Sequence, residues 1–444
     1  MNKLKSILLL FIIACIASAA PTQADALSIK KETMPNGLIV LYVERHELPI
    51  VMTTLLVKAS QLDEEPAKAG AANLTAKMLT EGTATRTSND ISSSIEFIGG
   101  SLQAATNTDY TGVSLSILKK DIDKGFDLFS DVVMHPSFPA DELARKKELV
   151  KGSLKQKEEE PSFVAGREFI RDVFRSHPYG RLAEGSIGSI DGIERADIVR
   201  FHNEFYRPEN SILAVVGDLS PDELKKLLDR YFSSWKSSGA KAPSVLLPAP
   251  PVQTQAVVDI IDRNVTQANI NFGGIGIARD NHDYYAVSVM NYILGGGGFA
   301  SRLMKVVRDE MGLTYSIGSF FAAGKYPGRF EIDVQTKNES AGRVIDEILR
   351  QIKIMKSEPI SDAELRDAKD YLVGSFPRRL ETSRKIADFI VATQYYNLGD
   401  DYIDRYRDYI ENVTKDDVFR VAKKYLDDRN YILVIVGDKK KLKL

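Results

Sequence analysis

A chain of 444 residues is longer than one ordinary hydrophobic core serves, so two or more domains are expected. With 43% hydrophobic and 27% charged residues and no low-complexity block, its composition is that of a soluble globular protein. A formal charge of -2 gives no general reason to expect nucleic acid or an anionic membrane surface as partner. The single cysteine, Cys15, excludes an internal disulfide or a thiolate metal cluster.

The chain opens on a basic stretch, Asn2-Lys3-Leu4-Lys5, followed by an apolar run over residues 7–13 that is too short for a stable membrane anchor. Ala24-Asp25-Ala26 fits a small-x-small cleavage site. Residues 1–26 therefore read as a signal peptide, with Leu27 as the first mature residue and a soluble periplasmic product. A competing reading takes Ile12-Ile13-Ala14-Cys15 as a lipobox, with a lipid anchor at Cys15.

Residues 37–44 and 50–57 alternate apolar and polar side chains around Arg45-His46-Glu47-Leu48-Pro49, which predicts a hairpin with one face buried. A helix is expected over residues 70–79, with Leu74, Met78 and Leu79 toward the sheet. A second helix is marked by Ser88 as cap, by Ile91, Ile95 and Ile98, and by Gly99-Gly100 as terminator. Residues 101–118 read as two more strands, and residues 139–159 as a charged helix. His177-Pro178-Tyr179-Gly180 reads as a turn with a structural histidine.

A long internal repeat then sets the domain organisation. Asn210 recurs as Asn430, Gly217 as Gly437 and Arg200 as Arg420, a constant offset of 220 residues. Two domains of one fold are expected, residues 27–236 and 255–444. Residues 237–254, with Pro243, Pro248, Pro250 and Pro251, form a semi-rigid linker between them. The second domain holds Leu294-Gly295-Gly296-Gly297-Gly298-Phe299-Ala300-Ser301-Arg302-Leu303. No Lys-Ser/Thr or dinucleotide fingerprint accompanies it, so a nucleotide site is not expected. Leu303, Val307 and Met311 share a helix face that Gly312 ends. Arg308 lies near its C-terminal end, and Tyr315 begins the next strand. On residue type alone, Arg308 complements a helix C-terminus and Tyr315 is half-buried in a sheet.

Met34-Pro35-Asn36-Gly37-Leu38, the strands after it and the helix over residues 70–79 together resemble the start of an M16 (insulinase/pitrilysin, or inverzincin) peptidase. In that family the helix carries His-x-x-Glu-His, two zinc ligands and a general base. Here those positions hold Asn73, Ala76 and Lys77. The resemblance puts the third, glutamate ligand on the charged helix at Ser153, or at Gly152 if the register moves by one. A methyl group cannot act as a base and an ammonium repels zinc, so no metal is expected on this chain. His46, His135, His177, His202 and His282 are scattered and form no ligand-spaced pair.

The glycine-rich turn, the helix, Arg308 and Gly312-Leu313-Thr314-Tyr315 resemble the C-terminal motif of the same family, whose Arg and Tyr hold the substrate near the scissile peptide. The resemblance implies an α+β fold. Two homologous α/β-sandwich domains are expected, each a mainly antiparallel sheet packed with helices, together forming half of a clamshell. It also implies the non-catalytic, substrate-binding subunit of a heterodimeric zinc metallopeptidase, inactive alone. Its partner would carry zinc on an intact His-x-x-Glu-His, Arg308 and Tyr315 would complete that partner's site, and the substrate would be a peptide. The rival expectation is a catalytically dead scaffold of the cell envelope. The strand at Ser101-Leu102-Gln103-Ala104 is either a strand-addition site for an extended peptide or an ordinary sheet edge.

Overall fold

The computed structural model describes residues 27–237, 239, 247 and 249–444. The expected signal peptide, Cys15 with its lipobox, and Pro243 and Pro248 of the linker lie outside the described residues. The strands of the first half are β1 (Lys30–Thr33), β2 (Ile39–Glu44), β3 (Ile50–Val57), β4 (Ser101–Thr106), β5 (Thr111–Leu118) and β6 (Ser211–Gly217), in the order β1-β2-β6-β3-β5-β4. The second half contributes β7 (Val257–Asp262), β8 (Gln267–Ile275), β9 (Thr314–Ala322), β10 (Arg329–Lys337) and β11 (Ile432–Gly437), in the order β7-β11-β8-β10-β9. Apart from β1 the two sheets share one topology, as the 220-residue repeat predicts. In each, a central apolar strand, β6 or β11, runs parallel to one neighbour and antiparallel to the other.

The expected hairpin of β2 and β3 does not form. β6 lies between them, and Leu213 faces Val40 on one side and Leu55 on the other. Nor is only one face buried, since every residue of β3 from Val51 to Val57 is buried. A strand whose only polar side chains are Thr53 and Thr54 takes the centre of the sheet, where both its edges and both its faces are covered.

The inner face of the first sheet carries helices α1 (Ala71–Met78), α2 (Ser88–Phe97), α3 (Ala140–Glu158) and others of its own half. Leu74, Met78 and Leu79 are fully buried, as the helical spacing predicts. The cap of α2 is Thr87 rather than Ser88: its hydroxyl accepts from the Asp90 amide, while the Asp90 side chain accepts in return from the Thr87 amide.

The outer face of each sheet is closed by a helix of the other half. Helix α4 (Pro161–Phe174) sets Phe169, Val173 and Phe174 against Ile432 and Val434 of β11. Reciprocally, α5 (Ser383–Tyr395) sets Ile386, Ala387, Ile390 and Val391 against Leu41, Leu56, Ile212 and Ala214. Burying each large aliphatic or aromatic side chain contributes about 1.5–3 kcal/mol, so neither contact is incidental. A polar knot completes the seam. The buried Asp109 carboxylate accepts from the Tyr179 hydroxyl, from the Tyr396 hydroxyl at 2.7 Å and from the Lys325 amide at 3.0 Å, joining both halves.

Candidate functional site

The first half-site is built on α1. Gly70 caps this helix with φ of 100°, and a Cβ there would come within 2.6 Å of the Glu184 carbonyl, so only glycine suits the position. The buried Glu64 carboxylate accepts from the Gly70 and Ala72 amides, the latter at 2.7 Å, and so satisfies the first turn. Burial pushes that carboxyl up to about 7, while the two amides and Arg181 oppose the shift. The tight passage at Glu184-Gly185 brings the Glu184 side chain beside α1 and within 2.8 Å of the Lys157 ammonium.

Between α1, α3 and the outer edge of β4 lies an open groove of about 560 Å³. Ala76, Lys77 and Ser153 all line it, together with residues 102–105 of β4. Two of the three expected ligand positions, Lys77 and Ser153, and the expected base position, Ala76, therefore converge, and Ser153 rather than Gly152 faces the groove. Asn73, one helical turn before Lys77, is buried and its Oδ1 has no hydrogen-bond partner. The set fails as a zinc site on chemistry: an amide, a methyl, an ammonium and a hydroxyl stand where imidazoles and carboxylates are required. Among the described residues no group of three or more His, Cys, Asp and Glu could hold a metal. His177 is the structural histidine expected, buried, with Nδ1 accepting from the Tyr179 amide at 3.1 Å and burial lowering its pKa.

The second half-site is on β9, an edge of the other sheet. Its glycines serve packing. A Cβ at Gly295 would meet the Ser319 amide nitrogen at 2.7 Å, and one at Gly297 would meet the Tyr292 carbonyl at the same distance. Residues Met304–Glu310 form a π-helical turn whose Val307 is fully buried, and Arg308 stands in its last turn. The guanidinium stacks on Phe299 of the glycine-rich turn, 4.6 Å from the ring centroid, and reaches Asp309 at 3.5 Å. Phe299 was not singled out from the sequence, because an aromatic after four glycines carries no signal of what it supports.

Tyr315 lies at a β-bulge. Val334 faces Ile317 and Thr336 faces Thr314, so Tyr315 and Ser316 together oppose the single residue Gln335. The extra residue turns Tyr315 outward, and it is 87% exposed rather than half-buried. The groove on α1 takes all its lining from the first half. Arg308 and Tyr315 therefore do not meet Ala76, Lys77 and Ser153 there.

Comparison with known proteins gives the family and the fold. The family described as "Insulinase (Peptidase family M16)" matches residues 39–185, and "Peptidase M16 inactive domain" matches residues 192–372. An uncharacterized zinc protease of Mycobacterium leprae is 29% identical, over 81% of each chain. One of Mycobacterium tuberculosis strain H37Rv is 26% identical, over 93% of this chain and 94% of the relative. Among solved structures, a peptidase M16 inactive domain from Pseudomonas fluorescens superposes with a TM-score of 0.87 at 29% identity, covering 94% of this chain and 100% of its own. A protease from Helicobacter pylori shares the fold, with a TM-score of 0.86 at 22% identity, covering 93% and 100%. The chain belongs to the M16 peptidase family.

Proposed function

We propose that this chain is the non-catalytic, substrate-binding subunit of a heterodimeric M16 zinc metallopeptidase, which cleaves peptides or small unfolded proteins in a closed chamber. The observation that carries this reading is the opposite condition of the two half-sites. The metal positions hold no usable donor set, whereas Arg308 is partly exposed and braced on an aromatic ring and Tyr315 is turned outward by a bulge. A scaffold has no use for such a pair. In this reading zinc resides on a partner subunit with an intact His-x-x-Glu-His, and Arg308 and Tyr315 reach that partner's substrate. A guanidinium and a phenol aimed at the scissile carbonyl hold the peptide and stabilise charge developing on its oxygen. The chain acts in the periplasm after loss of residues 1–26, or from a lipid anchor at Cys15.

The test is affinity capture of the tagged chain from its native envelope extract, followed by turnover of the recovered complex. A zinc-motif chain of similar size in near-equal amount supports the proposal. Capture of only itself, or of envelope assemblies lacking such a chain, would shift the reading to the scaffold.

A further inference from the structure

The side chain of Tyr315 makes no hydrogen bond, ring contact or ion pair with the described residues, so its direction is set by the backbone that carries it. That backbone is the bulge, where two residues of β9 oppose one of β10 and the ladder is locally disrupted. The Thr314 hydroxyl lies across this defect. It accepts from the Ser316 amide at 3.1 Å, and it lies 2.7 Å from both the Ser316 and the Gln335 carbonyl oxygens, to either of which its one proton is donated. One side chain thus holds the residue after Tyr315 and the residue opposite it.

The segment between Arg308 and Thr314 is tied down before this point. The Gly312 amide donates to the Arg308 carbonyl at 3.1 Å, with Gly312 at φ of 63°, and the Leu313 amide donates to the Val307 carbonyl at 3.0 Å. The Leu313 carbonyl in turn accepts from the buried Thr336 hydroxyl of β10 at 2.6 Å. Main-chain groups therefore lead from Arg308 as far as Leu313, and at Thr314 the hold on Tyr315 passes to a hydroxyl.

We propose that Thr314 is a positioning residue for Tyr315: by bracing the bulge, its hydroxyl sets the direction in which the phenol leaves the sheet edge. The proposal rests on the reading of Tyr315 as a substrate-holding group, and adds to it a residue that touches no substrate. Strand preference alone does not call for threonine here, since valine has the same branched shape and suits a strand as well.

The test compares Thr314→Val, which keeps the shape and loses the hydroxyl, with Thr314→Ser, which keeps the hydroxyl. In the chain alone, fluorotyrosine at position 315 reports the setting of the ring through its fluorine resonance. Thr314→Val is expected to shift or broaden that resonance and to speed exchange of the Ser316 amide about tenfold, with Thr314→Ser close to wild type. In the complex recovered by capture, Thr314→Val is expected to lower kcat about three- to tenfold with partner association unchanged. The same change should cost nothing further in a Tyr315→Phe background, whereas a merely structural residue would lower both backgrounds alike. A wild-type resonance and amide exchange in Thr314→Val, equal impairment of Thr314→Ser, or equal losses in both backgrounds would overturn the proposal. The fluorine signal needs no partner, so the two readings fail separately. A moved resonance without a captured zinc subunit sinks the heterodimer and leaves the hold of Thr314 on Tyr315, and an unmoved resonance in an active complex sinks the positioning role alone.

Discussion

Tyr396 of the second half donates its hydroxyl to the Asp109 carboxylate of the first at 2.7 Å, while Tyr179 donates to the other carboxylate oxygen. Burial together with the Asp109 charge raises both phenols far above their usual range, so they remain donors at every physiological pH. Tyr396→Phe should cost about 1–3 kcal/mol in urea unfolding, since a buried acceptor loses one of its donors. A double-mutant cycle with Tyr179→Phe should show coupling of about 0.5–3 kcal/mol. Strict additivity would mean that the two phenols do not act through one carboxylate.

Glu64 gives the fold a pH dependence of known sign. Its carboxyl is raised from 4.5 to about 7 by burial, so the native state holds the proton more tightly than the unfolded chain does. The stabilisation linked to that proton is full below pH 4.5 and is lost as pH rises through 7, by on the order of 3 kcal/mol. Glu64→Gln should flatten the fall in stability between pH 5 and 8. Faster hydrogen exchange at the Gly70 and Ala72 amides in the same variant would report the loosened first turn of α1. If the fall persists unchanged in Glu64→Gln, another group is responsible.

If the proposed complex forms, Phe299 should matter to its turnover through Arg308. Phe299→Ala removes the surface on which the Arg308 guanidinium stacks, and is expected to reduce kcat of the recovered complex several-fold with partner association unchanged. Arg308→Ala should reduce it further, by about a hundredfold, as loss of a charge-stabilising donor typically does. Tyr315→Phe keeps the ring and tests the hydroxyl alone. Full activity in Arg308→Ala would count against a substrate-holding role.

A zinc site of the kind the resemblance implies can be built as a test of register. Asn73→His, Ala76→Glu, Lys77→His and Ser153→Glu together restore two imidazoles, a base and a carboxylate ligand at positions that surround or line one groove. Equilibrium dialysis should find about one zinc ion on the quadruple variant and none on the wild type. A quadruple variant with glutamate at Gly152 instead should bind more weakly. The opposite ranking would place the third position one residue earlier than the groove lining indicates.

Much of this was legible in the sequence, and what was missed has a common cause. The repeat, helix α1, the β4–β5 pair and the glycine-rich turn are written in local spacing, and the structure contains all of them. The insertion of β6 between β2 and β3 is a pairing across more than 150 residues, and no local pattern marks a strand's distant neighbour. Similarly, helix α5 was not read from the sequence, and nothing in its local pattern names the sheet it covers. The bulge at Tyr315 depends on the register of β10, which its own strand does not encode.

The reciprocal covering of the sheets by α4 and α5 ties the halves in a way a linker alone would not. Severing the chain between residues 237 and 254 would leave each fragment needing the other to keep water from an apolar sheet face. The nicked protein should migrate as one particle and melt in one step, and a half expressed by itself should aggregate. A gene encoding only one repeat would therefore be expected to function only as a matched pair of chains.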